Sequence, residues 1–168
     1  IVSILALVFT GCVRQVIDDL PSYEESSLVK EGDKAPLFSA TLLDGTVVSL
    51  ADYQGEYVML ILFSHTCPDC RMLLDDLQGL INSEVQMPSI LAVGRDATEE
   101  ELREYSAAVG YTVAMVADAD RRIFNLYATT YVPRVYLIDA LGTVAMLKIE
   151  YSHNTLTELI EYANSLSN

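Results

Sequence analysis

Val58 to Phe63 (VMLILF) is an unbroken apolar run of strand length, the pattern of a central strand covered on both faces. The period then changes. Cys70, Leu73, Leu74, Leu77, Leu80 and Ile81 recur at helical spacing, which predicts a helix ending near Gly79. Ser89 to Val93 predicts a second strand. Thr98 with Glu101 has the spacing of a capping box and opens a helix that stops before Gly110. Thr112 to Val116 and Arg121 to Tyr127 repeat the theme as a short strand and a short helix. Val135 to Ile138, the turn Asp139-Ala140-Leu141-Gly142, and Thr143 to Ile149 predict a β-hairpin. Thr155 with Glu158 offers another capping box, for a last helix whose apolar face is Leu156, Leu159, Ile160, Ala163 and Leu166. The alternation predicts an α/β fold, a central mixed β-sheet flanked by helices, with an antiparallel edge. No internal repeat or low-complexity segment interrupts it.

A chain of 168 residues favours one domain with one core, and 51% hydrophobic against 20% charged residues supplies the material for it. Ten Lys and Arg against 24 Asp and Glu give a formal charge of −14. That balance argues against nucleic-acid partners, because phosphate binding needs clustered positive charge. It equally disfavours attraction to an anionic membrane surface.

Part of the apolar content lies outside the predicted domain. Residues 1–11 are uncharged and mostly apolar, too short to span a bilayer, and they close on small residues, as the core and cleavage site of an export signal do. They lack the Met and basic start of such a signal and so read as a signal-peptide remnant. Phe9-Thr10-Gly11-Cys12 resembles a bacterial lipobox, with Phe9 where Leu is usual, and that resemblance implies lipidation of Cys12. Residues 12–30, with Pro21, Ser22, Glu24, Glu25, Ser26 and Ser27, carry no sustained apolar period and are expected to form a tether. The folded domain is expected over residues 31–168.

The chemistry gathers in Ser64-His65-Thr66-Cys67-Pro68-Asp69-Cys70-Arg71, where the apolar strand gives way to a helix. There Cys67 sits in the positive field of a helix N-terminus, which stabilises a thiolate, and Pro68 fits a first helical position that needs no amide hydrogen. Cys70 follows one turn later, close enough for the two sulfurs to bond. With Cys12 lipidated, these are the remaining thiols, in a compartment where disulfides persist. A static disulfide closing so short a loop stabilises little, and zinc would need four ligands where only His65 and His153 could join the pair. No metal or other cofactor is called for. The pattern points to a redox couple in which Cys67 attacks and Cys70 resolves the mixed disulfide.

The ordered set of these motifs resembles the thioredoxin-like thiol:disulfide oxidoreductases, in their TlpA-like and AhpC/TSA-like branch of exported bacterial proteins. The resemblance covers about residues 31–168. It rests on Gly32-Asp33-Lys34-Ala35-Pro36-Leu37-Phe38 with Asp44-Gly45-Thr46-Val47-Val48-Ser49-Leu50, on Cys67-Pro68-Asp69-Cys70 after a hydrophobic strand, and on Val132-Pro133-Arg134-Val135-Tyr136-Leu137-Ile138-Asp139 with Gly142. It implies a thioredoxin-like fold, a cis Pro133 beside the cysteines, and substrate contact through Val132, Pro68 and Thr66. It also implies exported client proteins as thiol and disulfide partners, a membrane electron donor, and a lipid-anchored position on the periplasmic side of a bacterial membrane, acting as a reductant.

Several positions depart from that pattern. Thr66 replaces an aromatic residue, Ile61 stands where many thioredoxins bury an acid, Leu73 where many TlpA-like proteins carry Glu, and Asp75 replaces a helix-kinking Pro. No buried base for Cys70 can therefore be named, while Asp69 opposes a thiolate that the helix favours. His65 and Arg71 are candidate electrostatic tuners. Two other functions fit parts of the pattern: a peroxiredoxin-like peroxidase using Cys67, suggested by Ser64 three residues before it but opposed by Leu60 where Pro is expected, and a metal- or substrate-binding lipoprotein of the same fold.

Overall fold

The computed structural model describes residues 20–166. In chain order they form β1 (Ser39–Thr41), β2 (Val47–Ser49), β3 (Val58–Phe63), α1 (Pro68–Asn82), β4 (Ser89–Arg95), α2 (Glu99–Val109), β5 (Met115–Asp118), α3 (Phe124–Tyr127), β6 (Arg134–Ile138), β7 (Val144–Ile149) and α4 (Thr155–Leu166). Every residue of β3 is buried, because strands flank it on both edges and side-chain layers cover both faces. The sheet order is β5-β4-β3-β6-β7, with β3, β4 and β5 parallel and β6 and β7 antiparallel to their neighbours. This is the α/β fold with a mixed central sheet and an antiparallel edge that the periodicity predicts.

Strand alternation divides the core. Met59, Ile61, Phe63, Ala92, Val135 and Leu137 meet α1, α2 and α4 through Leu73, Leu77, Leu102, Leu156 and Leu159. Leu60, Leu62, Leu91, Val93, Tyr136 and Ile138 meet Val29, Phe38, Leu50, Phe124 and Tyr127 on the opposite face. The antiparallel β1/β2 hairpin runs into a 3-10 turn over Leu50–Tyr53, capped by Ser49 and Asp52, which supplies Leu50 to that second layer.

The register brings the chemistry to one end of the sheet. Leu62 pairs with Arg134, Phe63 with Gly94, and Arg95 with Asp118. The end of β3, the end of β4 and the beginning of β6 therefore converge where the chain enters α1.

Four expectations need correction. The helix predicted to end near Gly79 runs on to Asn82, and the Ser83 amide then closes it on the Gly79 carbonyl. The Thr98–Glu101 box forms as predicted, and Gly110 ends α2 in the left-handed conformation (φ 84°). The Thr155–Glu158 box does not form. Thr155 is buried, its hydroxyl accepts from the Ser152 amide at 3.0 Å, and Glu158 pairs with Lys148 at 2.5 Å. Leu166, expected on the apolar face of α4, is exposed and borders an open cleft lined by Tyr57, Met87 and Pro88.

The fourth correction concerns the expected tether. Its last residues lie against the body: Ser26, Ser27 and Val29 are buried, the Leu28 and Val29 amides both donate to the Tyr127 carbonyl, and Ser27 bridges Ala128. Backbone groups and hydroxyls hold this strap in place of an apolar stripe, so periodicity gives no sign of it. Residues 1–11 and Cys12 lie outside the described residues.

Candidate active site

Cys67 is the N-cap residue of α1, with extended backbone (φ −90°, ψ 122°), and Pro68 occupies the first turn. The Cys70 amide donates to the Cys67 sulfur at 3.4 Å, so that sulfur takes the place of the oxygen that usually satisfies an open helix N–H. Negative charge developing on this sulfur meets the positive end of a fifteen-residue helix. Cys67 is half-buried, Cys70 is fully buried one turn behind it, and both thiols are free.

Cys70 is enclosed by the α1 layer, with the Ser64 amide donating to its sulfur at 3.5 Å. Burial pushes the Cys70 thiol pKa far up, against a smaller lowering by that amide. Ile61 and Leu73, the positions at which the family resemblance places an acid, are completely buried hydrocarbon.

The other expected residues surround the same point. Val132 offers its carbonyl 3.8 Å from the Cys67 sulfur, the Val132–Pro133 peptide bond is cis, and Pro133 is buried. Thr66 and Pro68 are exposed on the approach, with the Thr66 hydroxyl 3.0 Å from that of Ser64. Asp69 is exposed in the first turn of α1. Arg71 turns aside to Asp75 at 3.7 Å, and Asp75 accepts from the Tyr111 hydroxyl at 2.5 Å. His65 sets its ring edge-on to Tyr105, centroids 6.1 Å apart, and its Nδ1 is buried without a hydrogen-bond partner among the described residues.

Arg95 is the residue that motif reading missed. It ends β4 one position beyond the Phe63–Gly94 pair, with its guanidinium 4.8 Å over the Phe124 ring and its Nε buried without a hydrogen-bond partner among the described residues. Burial, then the charge of Arg121, lowers its pKa, and its field reaches both Cys70 and Cys67. A signal existed in the sequence, since the C-terminal ends of parallel strands are where α/β sheets place function.

The family model for the AhpC/TSA family matches residues 31–147. The chain belongs to this family. Over 170 residues it is 24% identical to the thiol-disulfide oxidoreductase ResA of Oceanobacillus iheyensis, covering 98% of this chain and 86% of that one. Among solved structures it is similar to a candidate protein disulfide isomerase from Bacteroides thetaiotaomicron, with TM-score 0.77 and 25% identity over 84% of this chain and 92% of the other. The thioredoxin domain of the thiol-disulfide oxidoreductase BVU-2223 from Bacteroides vulgatus superposes with TM-score 0.68, at 22% identity over 83% and 99% of the two chains. These relatives bear out the thioredoxin-like α/β fold and the thiol:disulfide oxidoreductase class expected for this AhpC/TSA-family chain.

Proposed function

We propose that Cys67 and Cys70 are the redox couple of this oxidoreductase and that it reduces disulfides in extended segments of exported proteins. The observation that carries the reading is the asymmetry of the pair: a half-buried sulfur at a helix N-terminus in front of a fully buried one. Cys67, as the thiolate, attacks one sulfur of a client disulfide. A Cys67–client bond forms, the client S–S bond breaks, and the other client sulfur leaves as a thiolate. Cys70 then attacks the Cys67 sulfur, its proton passing to the thiolate that the client released. The internal disulfide closes and the second client sulfur is released. The client gains two electrons and the protein loses two, so a dithiol donor must restore the couple, and a membrane electron carrier suits that role.

The approach to Cys67 supports docking through the exposed Thr66 and Pro68 and the backbone of Val132, beside Pro133. Export rests on residues 1–11 and lipid anchoring at Cys12, on the periplasmic side of the membrane, on the lipobox-like Phe9-Thr10-Gly11-Cys12. Among the described residues no helix is long and apolar enough to cross a membrane.

The test is turnover of a model disulfide by single-cysteine variants. Cys67→Ser abolishes it, whereas Cys70→Ser accumulates a mixed disulfide visible by mass. Normal turnover by Cys67→Ser overturns the assignment.

A further inference from the structure

Arg134, immediately after Pro133, is completely buried. Alternation along β6 puts it on the face of Tyr136 and Ile138, opposite Val135 and Leu137, which pack toward α1 and Cys70. Its side chain is therefore directed away from the thiols. Among the described residues no carboxylate forms an ion pair with it, and a buried guanidinium without one is costly unless its donors are met.

They are met by two segments at once. Nε donates to the carbonyls of Thr130 at 3.1 Å and Tyr131 at 3.2 Å, while the terminal nitrogens donate to Ser27 Oγ at 2.7 Å and Ser26 Oγ at 2.6 Å. Both hydroxyls donate onward to the Tyr23 carbonyl, Ser26 at 2.9 Å and Ser27 at 2.6 Å. The strap and the loop also meet directly: the Tyr131 hydroxyl donates to the Pro21 carbonyl at 2.8 Å, and the Tyr23 and Tyr131 rings stand edge to face at 4.8 Å. Tyr131 is itself in the left-handed region (φ 62°), a conformation that a non-glycine residue holds only when its surroundings impose it. The next residue is Val132, whose carbonyl lies over Cys67.

We propose that Arg134 is a positioning residue: by tying the Thr130–Tyr131 carbonyls to Ser26 and Ser27 of the strap, it sets the place of the Val132 backbone over Cys67, and so the docking of extended disulfide substrates. The proposal rests on the reading of Cys67 as the attacking sulfur and Val132 as a docking position. The strap thereby reaches the docking backbone through Arg134.

The test compares two disulfides on the full chain: a peptide disulfide long enough to lie along Val132, and the small aromatic 5,5′-dithiobis(2-nitrobenzoate), which cannot pair with backbone. The variants are Arg134→Lys, and Ser26→Ala/Ser27→Ala, which leaves Arg134 in place if the Lys variant fails to fold. In the serine variant KM for the peptide rises by about tenfold with kcat within roughly twofold, while kcat/KM for the small disulfide holds, because only docking is disturbed. Arg134→Lys, which keeps the charge but not the fork, gives an intermediate ratio. An equal loss on both disulfides marks a merely structural role and overturns the proposal. A wild-type preference for the peptide that persists undiminished in the variants overturns it too. A wild-type chain that handles both disulfides alike overturns the Val132 docking reading, and the Arg134 proposal with it.

Discussion

The Val132 carbonyl oxygen lies 3.8 Å from the Cys67 sulfur, across 65 positions of sequence. The sheet explains the meeting. β6 runs antiparallel to β3 and begins beside its end, as the Leu62–Arg134 pair records, so the loop entering β6 rises next to the turn that leaves β3 for α1. Parallel β4 ends at the same level and adds Arg95 from the other side. A helix-capping sulfur, a backbone carbonyl and a half-buried cation thus come from three elements whose ends the register aligns.

Burial of Cys70 makes the reduced protein sensitive to alkali. The folded thiol keeps its proton well above the ordinary cysteine range, while the unfolded chain loses it near pH ~8.5. Above that pH the unfolded state binds fewer protons, so stability is fully present below it and falls as pH rises, at up to about 1.4 kcal/mol per pH unit for this one group. Urea unfolding of the reduced chain from pH 7 to 10 should show that slope, and Cys70→Ala should flatten it. A parallel slope in the variant would assign the loss to other groups.

Arg95 should matter through its charge. Its field reaches both sulfurs from a position where the side chain is only 17% exposed, so solvent screens it weakly. Arg95→Met should slow attack of the reduced protein on a small neutral disulfide at pH 7 by roughly threefold, the effect of a partly screened charge that does not touch the reacting atoms. Arg95→Lys should recover most of the rate. Packing on Phe124 is lost in Arg95→Met as well, so unfolding midpoints should be measured alongside the rates. Equal slowing by Met and Lys would show that the ring contact, not the charge, is what counts.

These residues differ in how legible they are in the sequence. Cys67, Cys70 and the strand and helix that carry them are local features: an apolar run, a turn and a helical stripe lie within residues 58–81, and the structure keeps them together. The hairpin and the Thr98–Glu101 cap are equally local and equally readable. Arg95 is not, since its meaning depends on which strand lies beside β3. The strap is harder still. Ser26 and Ser27 look like linker residues, yet their hydroxyls meet the buried guanidinium of Arg134, 108 and 107 positions away. Thr155 and Glu158 show the opposite failure, a local motif displaced because Ser152, three residues upstream, takes the Thr155 hydroxyl and Lys148 takes the Glu158 carboxylate.

The direction of electron flow follows from which redox state the site stabilises. Strong oxidants of this chemistry owe their potential to a stabilised reduced form. Here burial of Cys70 disfavours a thiolate, the Ser64 amide and the field of Arg95 offset that burial only in part, and Asp69 adds a negative charge between the cysteines. The reduced form gains little, so the couple should lie nearer the roughly −270 mV of thioredoxin than the roughly −120 mV of DsbA. The chain contains no Trp to report the transition, so the potential should be read by equilibration in thiol–disulfide buffers followed by acid trapping, alkylation and mass measurement. A potential near thioredoxin's supports a reductase that draws electrons from a membrane carrier. A value near DsbA's would reverse the proposed direction while leaving the Cys67/Cys70 couple intact, and it would imply that charge outside the first turn of α1, Arg95 foremost, holds the thiolate.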